Sequence, residues 1–104
     1  QALASEAIAA RTFENRSIQD LQKLARFITE HNEQAIALLV ATNDDKLQFV
    51  AARGKAQTTS MKTISAAALP LINGKGGGND ALVQGGGEAT IPADALLQAM
   101  KDAL

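Results

Sequence analysis

Apolar residues along this chain follow two rhythms. Ile18, Leu21, Leu24, Ala25 and Ile28 recur at three- and four-residue spacing, the period of one helical face. Ser17 stands just before that run with Asp20 three residues on, a helix start in which a hydroxyl takes up an orphan amide. The spacing predicts an amphipathic helix to about Glu30, with Gln19, Gln22, Lys23 and Arg26 on its outer side. Residues 35–42, AIALLVAT, form instead a continuous apolar run of strand length, the pattern of a strand buried on both faces. Asn43-Asp44-Asp45 supplies turn residues and KLQFVAAR follows, so the two runs read as a β-hairpin. Upstream, AIAARTF (7–13) lacks helical periodicity and is short enough for an edge or buried strand.

Downstream, Thr58-Thr59-Ser60 offers an N-cap for a second helix with Met61, Ile64, Ala68 and Leu69 on one face. Pro70 inside that helix would cost about 3 kcal/mol, so the helix is expected to end or kink just before it. A glycine-rich stretch follows, and ALV within it is a candidate fourth strand. Pro92 suits the first turn of a last helix, with Leu96, Leu97, Met100 and Leu104 as its apolar stripe. The order is strand, helix, hairpin, helix, glycine loop, strand, helix. That is an α/β domain with a small mixed sheet of about four strands and about three helices. One domain spans 1–104, and residues 1–6 read as a linker from an upstream domain. The chain begins at Gln1 rather than Met, so it reads as a piece of a longer protein.

Composition narrows the chemistry. Hydrophobic content of 46% with 20% charge is that of a globular chain, and 104 residues suffice for one modest core. With no cysteine, neither a disulfide framework nor a thiolate metal site is available. No apolar run approaches the roughly 18 residues of a membrane span, and the expected location is cytoplasmic. Three Phe and no Trp or Tyr argue against base stacking on exposed rings. The single histidine, His31, falls at the expected end of the first helix, where it would meet the last carbonyls. No HxxxH, HExxH or CxxC occurs, so no metal site of histidines and thiols can be built from this chain, and Asp44-Asp45 reads as a solvated turn. No catalytic residue is assigned, and the chain is expected to perform no covalent chemistry alone.

Charge is uneven. Between Lys46 and Asn79 lie five basic residues (Lys46, Arg53, Lys55, Lys62, Lys75) and no acidic one. Against a net charge of −1, this window is +5 and the remainder −6. Such a bias is either a solvated face or a patch that meets phosphate.

Seven of the eight glycines lie in LINGKGGGNDALVQGGGE, residues 71–88. Neither GK pair is followed by Ser or Thr, so a Walker A loop is excluded. Gly76-x-Gly78-x-x-Ala81 fits a dinucleotide fingerprint formally but follows a helix rather than a strand, so that reading is rejected. Successive glycines can alternate handedness and gather N–H groups into an anion nest, to which Lys75 adds a charge. On that view Gly77→Val and Gly86→Val damage a loop that needs its glycines. The competing reading is a tight crossing between helix and strand.

The segment GKGGGNDALVQGGG (74–87) resembles the glycine-rich signature of the DHH-associated domain, in the branch found at the C-terminus of alanyl-tRNA synthetases and long alanyl-tRNA editing proteins. Gly74, Lys75, Gly76, Gly77, Gly78, Gln84, Gly85, Gly86 and Gly87 match that signature. Asn73 replaces a usual glycine, and Asn79 stands where relatives carry Arg or, in phosphoesterases, His. The resemblance implies a C-terminal accessory domain whose work is tRNA contact or oligomer formation. Those glycines, Lys75, Asn79 and Gln84, with Arg53 and Lys55 from the basic window, would contact nucleic acid. It also implies a parent acting on tRNA specific for alanine, as an editing hydrolase or a ligase, with any zinc held in an upstream catalytic domain. The alternatives are the substrate-binding half of a phosphoesterase acting on short oligonucleotides or cyclic dinucleotides, and a homodimerisation module.

Overall fold

The computed structural model describes residues 8–57 and 60–103. Within them run β1 (Ile8–Glu14), α1 (Ile18–His31), β2 (Ile36–Asn43), β3 (Lys46–Arg53), α2 (Met61–Ala68), a 3-10 turn (Leu69–Ile72), β4 (Lys75–Gly78), β5 (Leu82–Glu88) and α3 (Ala93–Asp102). The strands form one mixed sheet in the order β1-β2-β3-β5-β4. β1 and β2 are parallel with α1 as the crossover, and every other pairing is antiparallel. The sheet therefore has five strands where the sequence suggests about four. The expected linker at 1–6, Thr58, Thr59 and Leu104 lie outside the described residues.

Each face of the sheet carries its own core. Leu21, Ala25 and Ile28 of α1 pack on Ala37, Leu39, Ala41 and Val50. On the opposite face Met61, Ile64, Leu96 and Met100 from α2 and α3 pack on Leu38, Val40, Leu47, Phe49 and Val83. β2 serves both cores, so Ile36–Ala41 is buried residue by residue and its apolar run has no polar alternation.

Local chemistry sets the ends of the elements. Ser17 Oγ accepts from the Asp20 amide at 3.1 Å, the cap that the sequence suggests. His31 Nδ1 lies 2.8 Å from the Phe27 carbonyl oxygen in the last turn of α1. Asp44 takes a left-handed φ of 57° in the β2–β3 turn, a conformation that Asp and Asn tolerate better than other side chains. α2 stops at Ala68, and Pro70 sits in the first turn of the 3-10 segment, where its missing N–H costs nothing. Among the described residues no helix is long and apolar enough to cross a membrane.

Candidate nucleic-acid interface

The glycine stretch is not a loop. Lys75–Gly78 and Leu82–Glu88 are strands paired in register, Lys75 with Gly86, Gly76 with Gly85, Gly77 with Gln84 and Gly78 with Val83. An anion nest needs backbone of alternating handedness, whereas this backbone is extended. Among these glycines only Gly78, at φ 147°, has a positive φ that L-residues rarely adopt. β4 is the sheet's outer edge and is exposed along its length. The Asn79 amide donates to the Leu82 carbonyl at 2.9 Å and the Arg53 amide to the Ala81 carbonyl at 2.8 Å. Antiparallel ladders alternate, so Gly77 and Lys75 bond inward to Gln84 and Gly86, while the N–H and C=O groups of Gly76 and Gly78 face outward.

Most of these glycines answer to packing. A Cβ at Gly76 would lie 2.2 Å from the Gln84 carbonyl oxygen, and one at Gly87 2.3 Å from that of Ile72. At Gly85 it would meet the Phe49 ring at 2.8 Å. Gly77 differs, with nothing within 4 Å of its Cβ position. The expectation that Gly77→Val strains the backbone is therefore corrected. Gly86, whose Cβ would stand 3.2 Å from the Leu47 carbonyl oxygen, is tight but less so than Gly76.

The space above Gly77 has a topological cause. α1 lies over β2 and β3. The register sets Gln84 opposite Val50 and Gly77, and Gly86 opposite Gln48 and Lys75. Val50 belongs to the core under α1, so Gln48, Gln84, Gly77, Gly86 and Lys75 share that side of the sheet, beyond the helix. The result is a flat shelf of peptide planes and two glutamines, with exposed Lys75 on its rim. The Gln84 Oε1 atom is buried there without a hydrogen-bond partner.

The basic window does not form one face. Lys46 and Arg53 stand at opposite ends of β3, about 24 Å apart at strand rise. Lys55 borders a hollow lined by Thr29, Glu30 and Glu33, so acids surround it, and Lys62 rides on α2 over the other side of the sheet. Arg53 is occupied. Its Nε donates to the Asp80 carbonyl at 3.0 Å, and its guanidinium also reaches the Gln57 carbonyl. The Asp80 carbonyl takes the Met61 amide as well, and its carboxylate accepts from Ser60 Oγ at 2.8 Å. Arg53 and Asp80 thus tie the β4–β5 turn to the start of α2. Arg53→Ala is expected to cost about 1.5–3 kcal/mol, the range for hydrogen bonds to a charged group, read as a fall in Tm. An unchanged Tm would mean the latch is ornamental.

Both departures from the glycine signature have backbone reasons. Asn73 holds φ 49° after the 3-10 turn, a left-handed position that asparagine can fill in place of glycine. Its Nδ2 donates to the Glu88 carboxylate at 3.2 Å. Asn79 Oδ1 accepts from the Ala81 and Leu82 amides at 2.8 and 3.0 Å, closing the β4–β5 turn. Of the residues suggested for nucleic-acid contact, the structure brings Gly74–Asn79 and Gln84–Gly87 together on one hairpin. It leaves Lys55 beside Glu30 and Glu33, and Arg53 engaged. Ser60 caps α2 as the sequence suggests, accepting from the Lys62 amide at 3.3 Å. Its bond to Asp80 and that of Arg53 to Asp80 escaped the sequence reading, because contacts across 20 to 27 positions leave no local signal.

Known proteins place this architecture. Its fold matches the C-Ala domain from Aquifex aeolicus alanyl-tRNA synthetase with a TM-score of 0.79, at 23% identity, over 93% of this chain and 89% of that one. An alanine–tRNA ligase of Francisella tularensis is 41% identical over 68 residues, 64% of this chain and 8% of the relative. One from Neisseria meningitidis is 33% identical over 84 residues, 79% of this chain and 10% of the relative. The chain thus spans a tenth or less of the length of these curated relatives. The family model of the DHHA1 domain matches residues 5–104, and this glycine-hairpin chain belongs to the DHHA1 domain family.

Proposed function

We propose that this domain is the tRNA-binding accessory domain of an alanine–tRNA ligase, working in the cytoplasm beside the catalytic domain of the same chain. The observation that carries the proposal is the bare edge of β4. Outward amides at Gly76 and Gly78, with no side chain to hold a ligand off, lie next to the exposed ammonium of Lys75. Backbone amides and lysines are what phosphate oxygens seek, and phosphate contacts hold and orient a nucleic acid without reading its sequence. The relatives named above are ligases for alanine, which supports tRNA specific for alanine as the partner. Editing of mischarged tRNA, if the parent performs it, falls to another domain. Among the described residues no three His, Cys, Asp or Glu converge into a metal site, so these residues do not fit the zinc of such a domain.

The test compares two lysines. Lys75→Ala is expected to weaken tRNA binding, to lower the slope of log affinity against log salt by roughly one, and to leave Tm unchanged. Lys101→Ala, at the end of α3, is expected to change neither affinity nor slope. Both remove one charge, so net charge cannot separate them. If the two variants behave alike, the glycines serve packing alone. An unpaired β4 edge could also receive a second copy of the chain, and light scattering with and without tRNA reads out that alternative.

A further inference from the structure

The structure distributes the three phenylalanines unevenly. Phe49 is completely buried, whereas Phe27 is 42% exposed and Phe13 half-buried. Phe13 floors a cleft of about 400 Å³ between the end of β1 and the first turns of α1, lined also by Arg16, Asp20, Leu21, Lys23 and Leu24. This cleft lies at the opposite edge of the sheet from the glycine hairpin, about 19 Å away at four strand spacings. Its lining is one aromatic face, two leucines, two cations and one carboxylate. An apolar floor with a cationic rim suits a flat apolar ring that carries an anion.

Arg16 sharpens the match. Its guanidinium carbon stands 6.0 Å above the centre of the Phe13 ring. Direct stacking would bring them to about 3.5–4 Å, and a planar guest between them needs two such contacts, about 7 Å in all. Arg16 is exposed, so a small rotation opens that gap. Unstacked bases are held in this way, between an aromatic ring and an arginine plane. Lys23 and Arg26 follow at i,i+3 spacing on exposed positions of α1, placed for the adjoining phosphates. Asp20 offers an acceptor to an exocyclic amino group.

We infer that the Phe13–Arg16–Lys23 cleft is a second nucleic-acid contact, which holds an unpaired base of the bound tRNA with its flanking phosphate. It rests on the tRNA reading above and adds a stacking site to the phosphate contacts of β4. One tRNA would then bridge both edges of the sheet.

The experiment measures tRNA affinity of the full chain across a salt series for Phe13→Leu, Phe13→Tyr, Lys23→Gln and Lys75→Ala. Stacking is electrically neutral, so Phe13→Leu is expected to weaken binding about fivefold or more without changing the salt slope. Phe13→Tyr is expected to retain affinity, and Lys23→Gln to lower the slope by about one. Should Phe13→Leu fold poorly, Phe13→Trp supplies an indole whose fluorescence a stacked base quenches when tRNA is added. Wild-type affinity in Phe13→Leu while Lys75→Ala weakens binding would overturn the cleft and leave the tRNA reading standing. Unquenched indole fluorescence in a Phe13→Trp chain that binds tRNA would do the same. No binding by the unaltered chain would overturn both.

Discussion

Gly76→Ala is expected to lower Tm by about 12 °C or more, while Gly77→Ala, one residue on, leaves it unchanged or slightly raised. At Gly76 the new methyl would sit 2.2 Å from the Gln84 carbonyl oxygen and 2.7 Å from the Gly85 Cα. Those are backbone atoms of the neighbouring strand and cannot rotate away, so β4 must separate from β5. Severe overpacking of this kind costs about 3 kcal/mol or more, and each kcal/mol moves Tm by about 4–8 °C in a domain of this size. At Gly77 nothing lies within 4 Å and the backbone is not left-handed. Alanine there loses no contact and reduces the freedom of the unfolded chain, a gain of up to about 1 kcal/mol. Amide exchange gives a second readout, because a detached β4 would free the Gln84 and Gly86 amides. Equal melting temperatures for the two variants would contradict the hairpin geometry.

Phe49→Ala is expected to cost about 3–5 kcal/mol, the range for removing a buried aromatic ring. Phe49 is fully buried in the core beneath α2 and α3, and a domain of this kind has only about 5–15 kcal/mol in total. The ring also explains a glycine. A Cβ on Gly85 would meet Phe49 Cε2 and Cζ at 2.8 Å and Leu69 Cδ2 at 2.9 Å, so Gly85 is the hole into which the ring fits. Gly85→Ala alone is expected to cost about 1–3 kcal/mol. In a Phe49→Leu background it should cost measurably less, and a double-mutant cycle by denaturant unfolding reads that coupling. Simple additivity of the two changes would show that the ring and the glycine are independent.

These two positions show where sequence reading succeeds and where it stops. α1 is legible because Ser17, the period of Leu21, Ala25 and Ile28, and His31 all act within a few residues of one another. The β2–β3 hairpin is legible for the same reason, since one turn joins two adjacent apolar runs. β4 is not. Lys-Gly-Gly-Gly has no alternation and poor strand propensity, and it is extended only because β5 offers a ladder with room for no side chain at Gly76. The resemblance of residues 74–87 identified the family without revealing that its glycines form two strands.

Surface chemistry divides in the same way. Counting charges finds a +5 window, but β3 carries Lys46 and Arg53 to opposite ends of the sheet, and the turn at Asp80 consumes the guanidinium. Counting aromatics suggests that none is spare, yet the β1–α1 corner leaves the Phe13 ring beneath Arg16. Periodicity, caps and turn residues act over one or two helical turns, and local sequence therefore settled the helices, their ends and the central hairpin. Strand order, register and the surroundings of Gly76, Arg53 and Phe13 depend on contacts between residues far apart in the chain. Only the tertiary structure could decide those, because backbone crowding and side-chain exposure arise when the elements pack.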